Sequence, residues 1–126
     1  MELKRTWLYC RAAHNGPDSL DVLAAQQHRL EAYAKEHGLE IVGSSNDIGS
    51  GLTFAHRPGL LDFHAAAEDG TVDILLLVDL ARLSRNLDKT MQYWCLLRDL
   101  NVSIYTVNSG EVNLSIAAML RKMIEE

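Results

Sequence analysis

The sequence predicts an α/β domain, with a mostly parallel sheet of four to five strands and helices on both faces. Three observations carry this. Strand-like and helix-like stretches alternate as β-α-β-α-β-α-β-α. Residues 72–80 (VDILLLVDL) form a continuous apolar run, the mark of a central strand buried on both sides. The length, 126 residues, is enough to bury one core without disulfides or metal.

Each element follows in order. Residues 6–11 (TWLYCR) read as the first strand, and NGPDS at 15–19 as a turn in which Asp18 or Ser19 caps a helix. That helix is expected over 20–37, with Leu20, Leu23, Ala24, Gln27, Leu30 and Ala34 at helical spacing and Gly38 just past its end. Residues 39–42 read as the second strand and 44–57 (SSNDIGSGLTFAHR) as a long polar loop. Pro58 suits the first turn of a helix over 59–69, stopped by Gly70. After the 72–80 strand, Asn86 or Asp88 opens a helix whose buried stripe is predicted as Leu87, Met91, Trp94 and Leu97. Residues 102–108 form a further strand, and Asn113 is expected to cap a last helix that runs to Glu126. No repeat or low-complexity segment divides the chain, so residues 1–126 are read as one domain.

Composition narrows the function classes. No apolar run approaches a membrane span, and MELKRTW lacks the apolar core of a signal peptide, so a cytoplasmic location without membrane contact is expected. Cys10 and Cys95 have apolar or aromatic neighbours and read as reduced core cysteines. The histidines at 14, 28, 37, 56 and 64 lack zinc-ligand spacing, so no metal is expected, and no phosphate-loop motif supports nucleotide hydrolysis. The net charge of −5 is not that of an autonomous DNA-binding domain, so any phosphate contact must come from locally clustered basic residues.

Such a cluster is predicted by the topology. Functional groups of open α/β sheets collect at the carboxyl ends of strands. The first strand ends at Arg11; the second leads to Asp47, Ser50, Gly51 and Arg57; the third ends in DLARLSRN, carrying Asp79, Arg82, Ser84 and Arg85. Arg11, Arg57, Arg82 and Arg85 converging on one side of the sheet suit an anion, above all phosphate. Taken alone, these arginines also fit helix caps or partners of Asp79 and Asp88. His14 is either a pocket residue or a solvated turn residue, Ser84 a nucleophile or a helix cap, and Gln26 and Gln27 solvated helix residues.

At these residues the chain resembles the catalytic domain of the serine recombinases, the resolvase/invertase family. YCRAA (9–13) is similar to that family's Tyr-x-Arg-Val-Ser, and LAAQQHRLEAYAKEHGLEIV (23–42) to its first helix, with Gln26 at the pocket glutamine. NDIGSGLTFAHRPGL (46–60) resembles the loop ending in a catalytic arginine, here Arg57. VDILLLVDLARLSRN (72–86) resembles the strand ending in Asp-Arg-Leu-x-Arg, with Arg82 and Arg85 as its arginines.

The resemblance implies a three-layer resolvase-like fold ending in the start of a long helix near residue 113. It implies DNA as partner, a homodimer at each site, a tetramer on synapsis, and no cofactor. In its mechanism a serine hydroxyl attacks a DNA phosphodiester, a 5′-phosphoserine forms, and arginines neutralise the charge that builds on phosphorus. Two departures stand out. The nucleophile position falls on Ala13, and Ala81 replaces the aspartate before Arg82. Neither Ser19 nor Ser84 is expected to take over from the missing serine. Relatives also continue the last helix into a DNA-binding domain, for which these residues contain no helix-turn-helix. Three functions stay open: a site-specific recombinase catalytic domain, inactive as written; a non-catalytic DNA-binding or dimerising relative; and a small-phosphate-binding α/β domain, which the acidic charge favours.

Overall fold

A computed structural model describes residues 3–13, 16–49 and 54–125. His14, Ser50 and Gly51 lie outside the described residues. Five strands form one sheet in the order β2-β1-β3-β4-β5: β1 Arg5–Ala12, β2 Glu40–Ile48, β3 Ile74–Leu77, β4 Ser103–Thr106 and β5 Gly110–Glu111. The first four are parallel and β5 returns antiparallel to β4. Four α-helices accompany them: α1 Ser19–Glu36, α2 Pro58–Glu68, α3 Leu87–Asp99 and α4 Ile116–Glu125.

The alternation along β1 and β3 divides the core into two layers. Leu8, Cys10, Ala12, Ile74, Leu76 and Val78 pack against Leu23 and Leu30 of α1. Tyr9, Leu75 and Leu77 pack on the other side against Leu60 and Phe63 of α2 and Tyr93 and Leu97 of α3. The sheet is therefore sandwiched between α1 and the α2/α3 pair, as the three-layer expectation requires.

Three helices end alike. The residue after the C-cap takes a left-handed conformation at Gly38, Gly70 and Asn101, with φ of 66°, 73° and 61°. The next amide then bonds back to the carbonyl of Ala34 (2.8 Å), Ala66 (3.2 Å) or Leu97 (2.9 Å), closing each helix onto the strand that follows. Asn101 fills a position where glycine is usual, which its short polar side chain tolerates.

Several expected details change. The buried face of α1 is Ser19, Leu23, Gln26, Leu30 and Ala34, while Leu20 is 72% exposed. On α3 the buried residues are Thr90, Tyr93 and Leu97, with Leu87 exposed and Met91 and Trp94 only half-buried. The second strand runs on through SSNDI at 44–48, where a loop was expected, because it pairs with β1 as far as Ala12↔Ile48. The third is only four residues long. The last helix starts at Ile116, and its capping oxygen is Ser115 Oγ, which accepts from Ala118 N–H (3.1 Å); Asn113 instead receives the Ser115 amide (3.0 Å). Cys10 is buried, Cys95 is half-buried, and both are free thiols. No helix among the described residues is long and apolar enough to cross a membrane.

Candidate functional site

The site forms where β1 outruns its neighbour. β1 pairs with β3 only over Thr6–Leu8, yet continues beside β2 to Ala12. The main chain of Arg11 therefore faces a gap where a strand would have been. Gln26 of α1 fills it: its Oε1 accepts from Arg11 N–H (3.1 Å) and its Nε2 donates to Arg11 C=O (2.9 Å). A side-chain amide carries the same donor and acceptor as a peptide, so one buried glutamine replaces one rung of the ladder.

The Arg11 side chain points into the opposite layer and is 1% exposed. Its Nε donates to Arg82 C=O (2.9 Å) and its Nη2 to Ala81 C=O (2.8 Å), while Nη1 donates to Gly49 C=O. Arg82 reciprocates, with Nη1 donating to Arg11 C=O (3.0 Å). Its Nε lies 3.3 Å from Asp79 Oδ1, within the 3₁₀ turn Leu80–Arg82 that Asp79 opens.

Arg57 is held by a different device. It is the N-cap residue of α2 but makes no side-chain cap, and a cation at a helix N-terminus opposes the helix dipole. Asp47 of β2 supplies what is missing. Its Oδ1 accepts from Gly59 N–H (2.8 Å) and its Oδ2 from Leu60 N–H (2.9 Å) and from the Tyr9 hydroxyl (2.7 Å). Pro58, first in the helix, has no amide to satisfy. The Arg57 guanidinium carbon sits 5.1 Å from the centre of the Phe54 ring, and Arg57 is buried at 4% exposure. Burial, then the bond to Asp47 and its charge, raise the Tyr9 pKa far above the ordinary phenol value.

The four arginines share one electrostatic neighbourhood. The Arg11 pKa is held below its ordinary value, first by burial and next by the charges of Arg57 and Arg82; the field of exposed Arg85 also reaches it. Mutual repulsion of this kind favours any ligand that brings negative charge.

The sequence-predicted residues thus divide. Arg11, Gln26 and Arg82 are in direct contact, and Arg57 and Arg85 lie within electrostatic reach. Ala13 is half-buried at the β1 exit and offers only a methyl group. Ser84 accepts from Asn86 N–H (3.0 Å), and Ser19 donates to Gly16 C=O (2.9 Å), so both hydroxyls are engaged in local turns. Gln26 is buried rather than solvated. Asp79 pairs with Arg82, one of the partnerships the sequence allows, whereas the sequence leaves Asp47 near a strand end without a role. Nothing local marks Asp47 as a cap, since the helix it caps starts eleven residues later.

Solved structures share this architecture. The C-terminal catalytic domain of ISC1926 TnpA, an IS607-like serine recombinase, aligns with a TM-score of 0.75 at 27% identity, over 96% of this chain and 78% of that one. A resolvase family site-specific recombinase from Streptococcus pneumoniae has the same fold, with a TM-score of 0.77 at 21% identity over 97% of this chain and 86% of that one. So does the N-terminal catalytic domain of TP901-1 integrase, with a TM-score of 0.74 at 20% identity over 97% and 92%. Residues 6–125 match the family described as the resolvase N-terminal domain, and the chain belongs to that family.

Proposed function

We propose that this chain is a serine-recombinase catalytic domain that engages the phosphates of DNA but does not cleave them as written. The observation that carries the reading is the bond from Arg82 to the Arg11 carbonyl near the end of β1, with the charges of Arg57 and Arg85 felt at the same Arg11. Their charges confront a phosphodiester where relatives place the attacking hydroxyl. In this chain that position is Ala13, which cannot attack phosphorus. The amides at the head of α2 are already taken by Asp47, so phosphate meets guanidinium groups there and not the helix terminus. The crevice between β1 and β3, where an open α/β sheet would seat a nucleotide, is filled by Gln26 and Arg82. That packing favours DNA over a small phosphate ligand. The exposed Ile116, Leu120, Met123 and Ile124 of α4 support a homodimer built on that helix.

The test is binding to a DNA duplex across a salt series, beside R82A/R85A. Affinity should fall with log salt, with a slope shallower by about 0.9 for each phosphate contact the double variant loses. A13S in the presence of duplex should then yield a covalent protein–DNA adduct at the new serine. Absence of duplex binding even at low salt would overturn the reading.

A further inference from the structure

Arg82 is gripped through both its main chain and its side chain by the residue that opens its own turn. Asp79 follows β3 in an extended conformation and begins the 3₁₀ turn Leu80–Arg82, so its carboxylate lies beside the last residue of that turn. The two are tied twice: Arg82 N–H donates to Asp79 C=O (3.2 Å), and Arg82 Nε donates to Asp79 Oδ1 (3.3 Å). Nη1 of the same guanidinium donates to Arg11 C=O (3.0 Å), while Nη2 makes no bond among the described residues. This placement runs against electrostatics. The Arg82 charge is close enough to the Arg11 guanidinium to hold its pKa down, after burial and Arg57, and two cations at that range repel. Swinging out into solvent would relieve the repulsion and restore rotamer freedom to Arg82. Asp79 supplies the opposing pull.

We propose that Asp79 is a positioning residue for Arg82. Its carboxylate oxygen holds Nε, the Arg11 carbonyl holds Nη1, and the guanidinium is thereby turned with Nη2 left for a phosphate oxygen. The pair lies within one short turn, so it orders Arg82 before any ligand arrives and spares the ligand that ordering. It also sets a negative charge beside the DNA. Charge and acceptor therefore act in opposite senses: the charge repels DNA, and the acceptor aims the cation that binds it. The inference deepens the DNA-engaging reading and rests on it for its binding arm alone.

The test has two arms. In the first, the Arg82 Nε–H signal is followed by NMR in the free protein. D79A should move it and speed its exchange with solvent; D79N, which keeps an acceptor oxygen, should change it less. A signal untouched by D79A refutes the positioning role whether or not the protein binds DNA. In the second, duplex affinity is compared at one salt concentration for the wild type, D79A, D79N and each variant combined with R82A. Were Asp79 felt only as a charge, D79A and D79N would bind tighter than the wild type by equal factors. Positioning requires D79A to bind about two- to fivefold more weakly than D79N. It also requires the two to bind alike once Arg82 is removed. Equal affinities with Arg82 present, or a difference that survives R82A, would overturn the proposal. The Asp79 side chain is 39% exposed, so both variants should fold. Should D79A fail to, D79L gives the same comparison, being close to asparagine in size and without an acceptor. No duplex binding by the wild type would defeat the DNA reading and leave the first arm to judge Asp79.

Discussion

Gln26 on α1 makes two hydrogen bonds to the main chain of Arg11 on β1, at 3.1 and 2.9 Å, and so completes a sheet that β3 leaves unfinished. Without it the Arg11 N–H would be buried with no acceptor, since the ladder on that side has ended. Q26M keeps most of the volume and removes both bonds, so it separates hydrogen bonding from packing. We expect it to lower stability by about 2–3 kcal/mol, the cost of two lost bonds of which one leaves a buried donor unsatisfied. Urea unfolding should show a lower midpoint with an unchanged slope. A Q26M midpoint equal to that of the wild type would mean that the glutamine serves only the ligand.

Asp47 caps a helix that starts eleven residues further along the chain, and its loss should be felt at Arg57. D47A strands the Gly59 and Leu60 amides and the Tyr9 hydroxyl together. It should destabilise by about 3 kcal/mol, more than an ordinary cap deletion of about 1 kcal/mol. Y9F, which removes one of the three donors, should cost about 1 kcal/mol. Thermal unfolding of the two variants gives the comparison, and equal losses would contradict this account of the network.

Gly59 tests how closely α2 is pressed onto β2. A Cβ there would stand 2.5 Å from the Asn46 carbonyl oxygen and 3.0 Å from Asp47 Oδ2. Helix propensity alone favours alanine over glycine by about 1 kcal/mol. We expect G59A to destabilise nonetheless, by about 2 kcal/mol, because the atoms in the way include rigid backbone. A stabilised G59A would show that α2 can slide away from β2 at little cost.

These networks explain how much of the molecule was legible beforehand. The element order could be read because it depends on local signals: the apolar run of β3, the glycines after α1 and α2, and Pro58 at the head of α2. The faces of the helices could not. α1 buries Ser19 and Gln26, and α3 buries Thr90, because hydrogen bonds satisfy them there, Gln26 from a distant strand. Hydropathy sees only their polarity, so the predicted stripe shifted to Leu20 and Leu87, both of which face solvent. The 44–48 stretch failed for a related reason, since its strand character comes from pairing with β1 and not from its own polar residues. At the site, the arginines were visible as a motif. What each one touches was not, because Arg11 spends its donors on carbonyls whose approach only the fold determines.

Burial of protonated groups predicts weakness at alkaline pH. Burial foremost, and then the charge of Glu31, push the Cys10 thiol up to about 11 from an ordinary 9.0. Tyr9 and Tyr93 are both raised above the ordinary phenol value of 10.0, again chiefly by burial. In each case the fold favours the protonated form, so the unfolded chain loses its proton first as pH rises. The stability these groups contribute is complete below the unfolded values and drains away above them. The decline should begin near pH 9 with Cys10 and steepen beyond pH 10 with the two tyrosines. Between pH 9 and 11 the thiol should account for a loss of the order of 2 kcal/mol. Denaturant midpoints measured from pH 8 to 11 give the wild-type slope. C10A should flatten its first part and Y93F its last, whereas a C10A curve parallel to that of the wild type would place the alkaline sensitivity elsewhere.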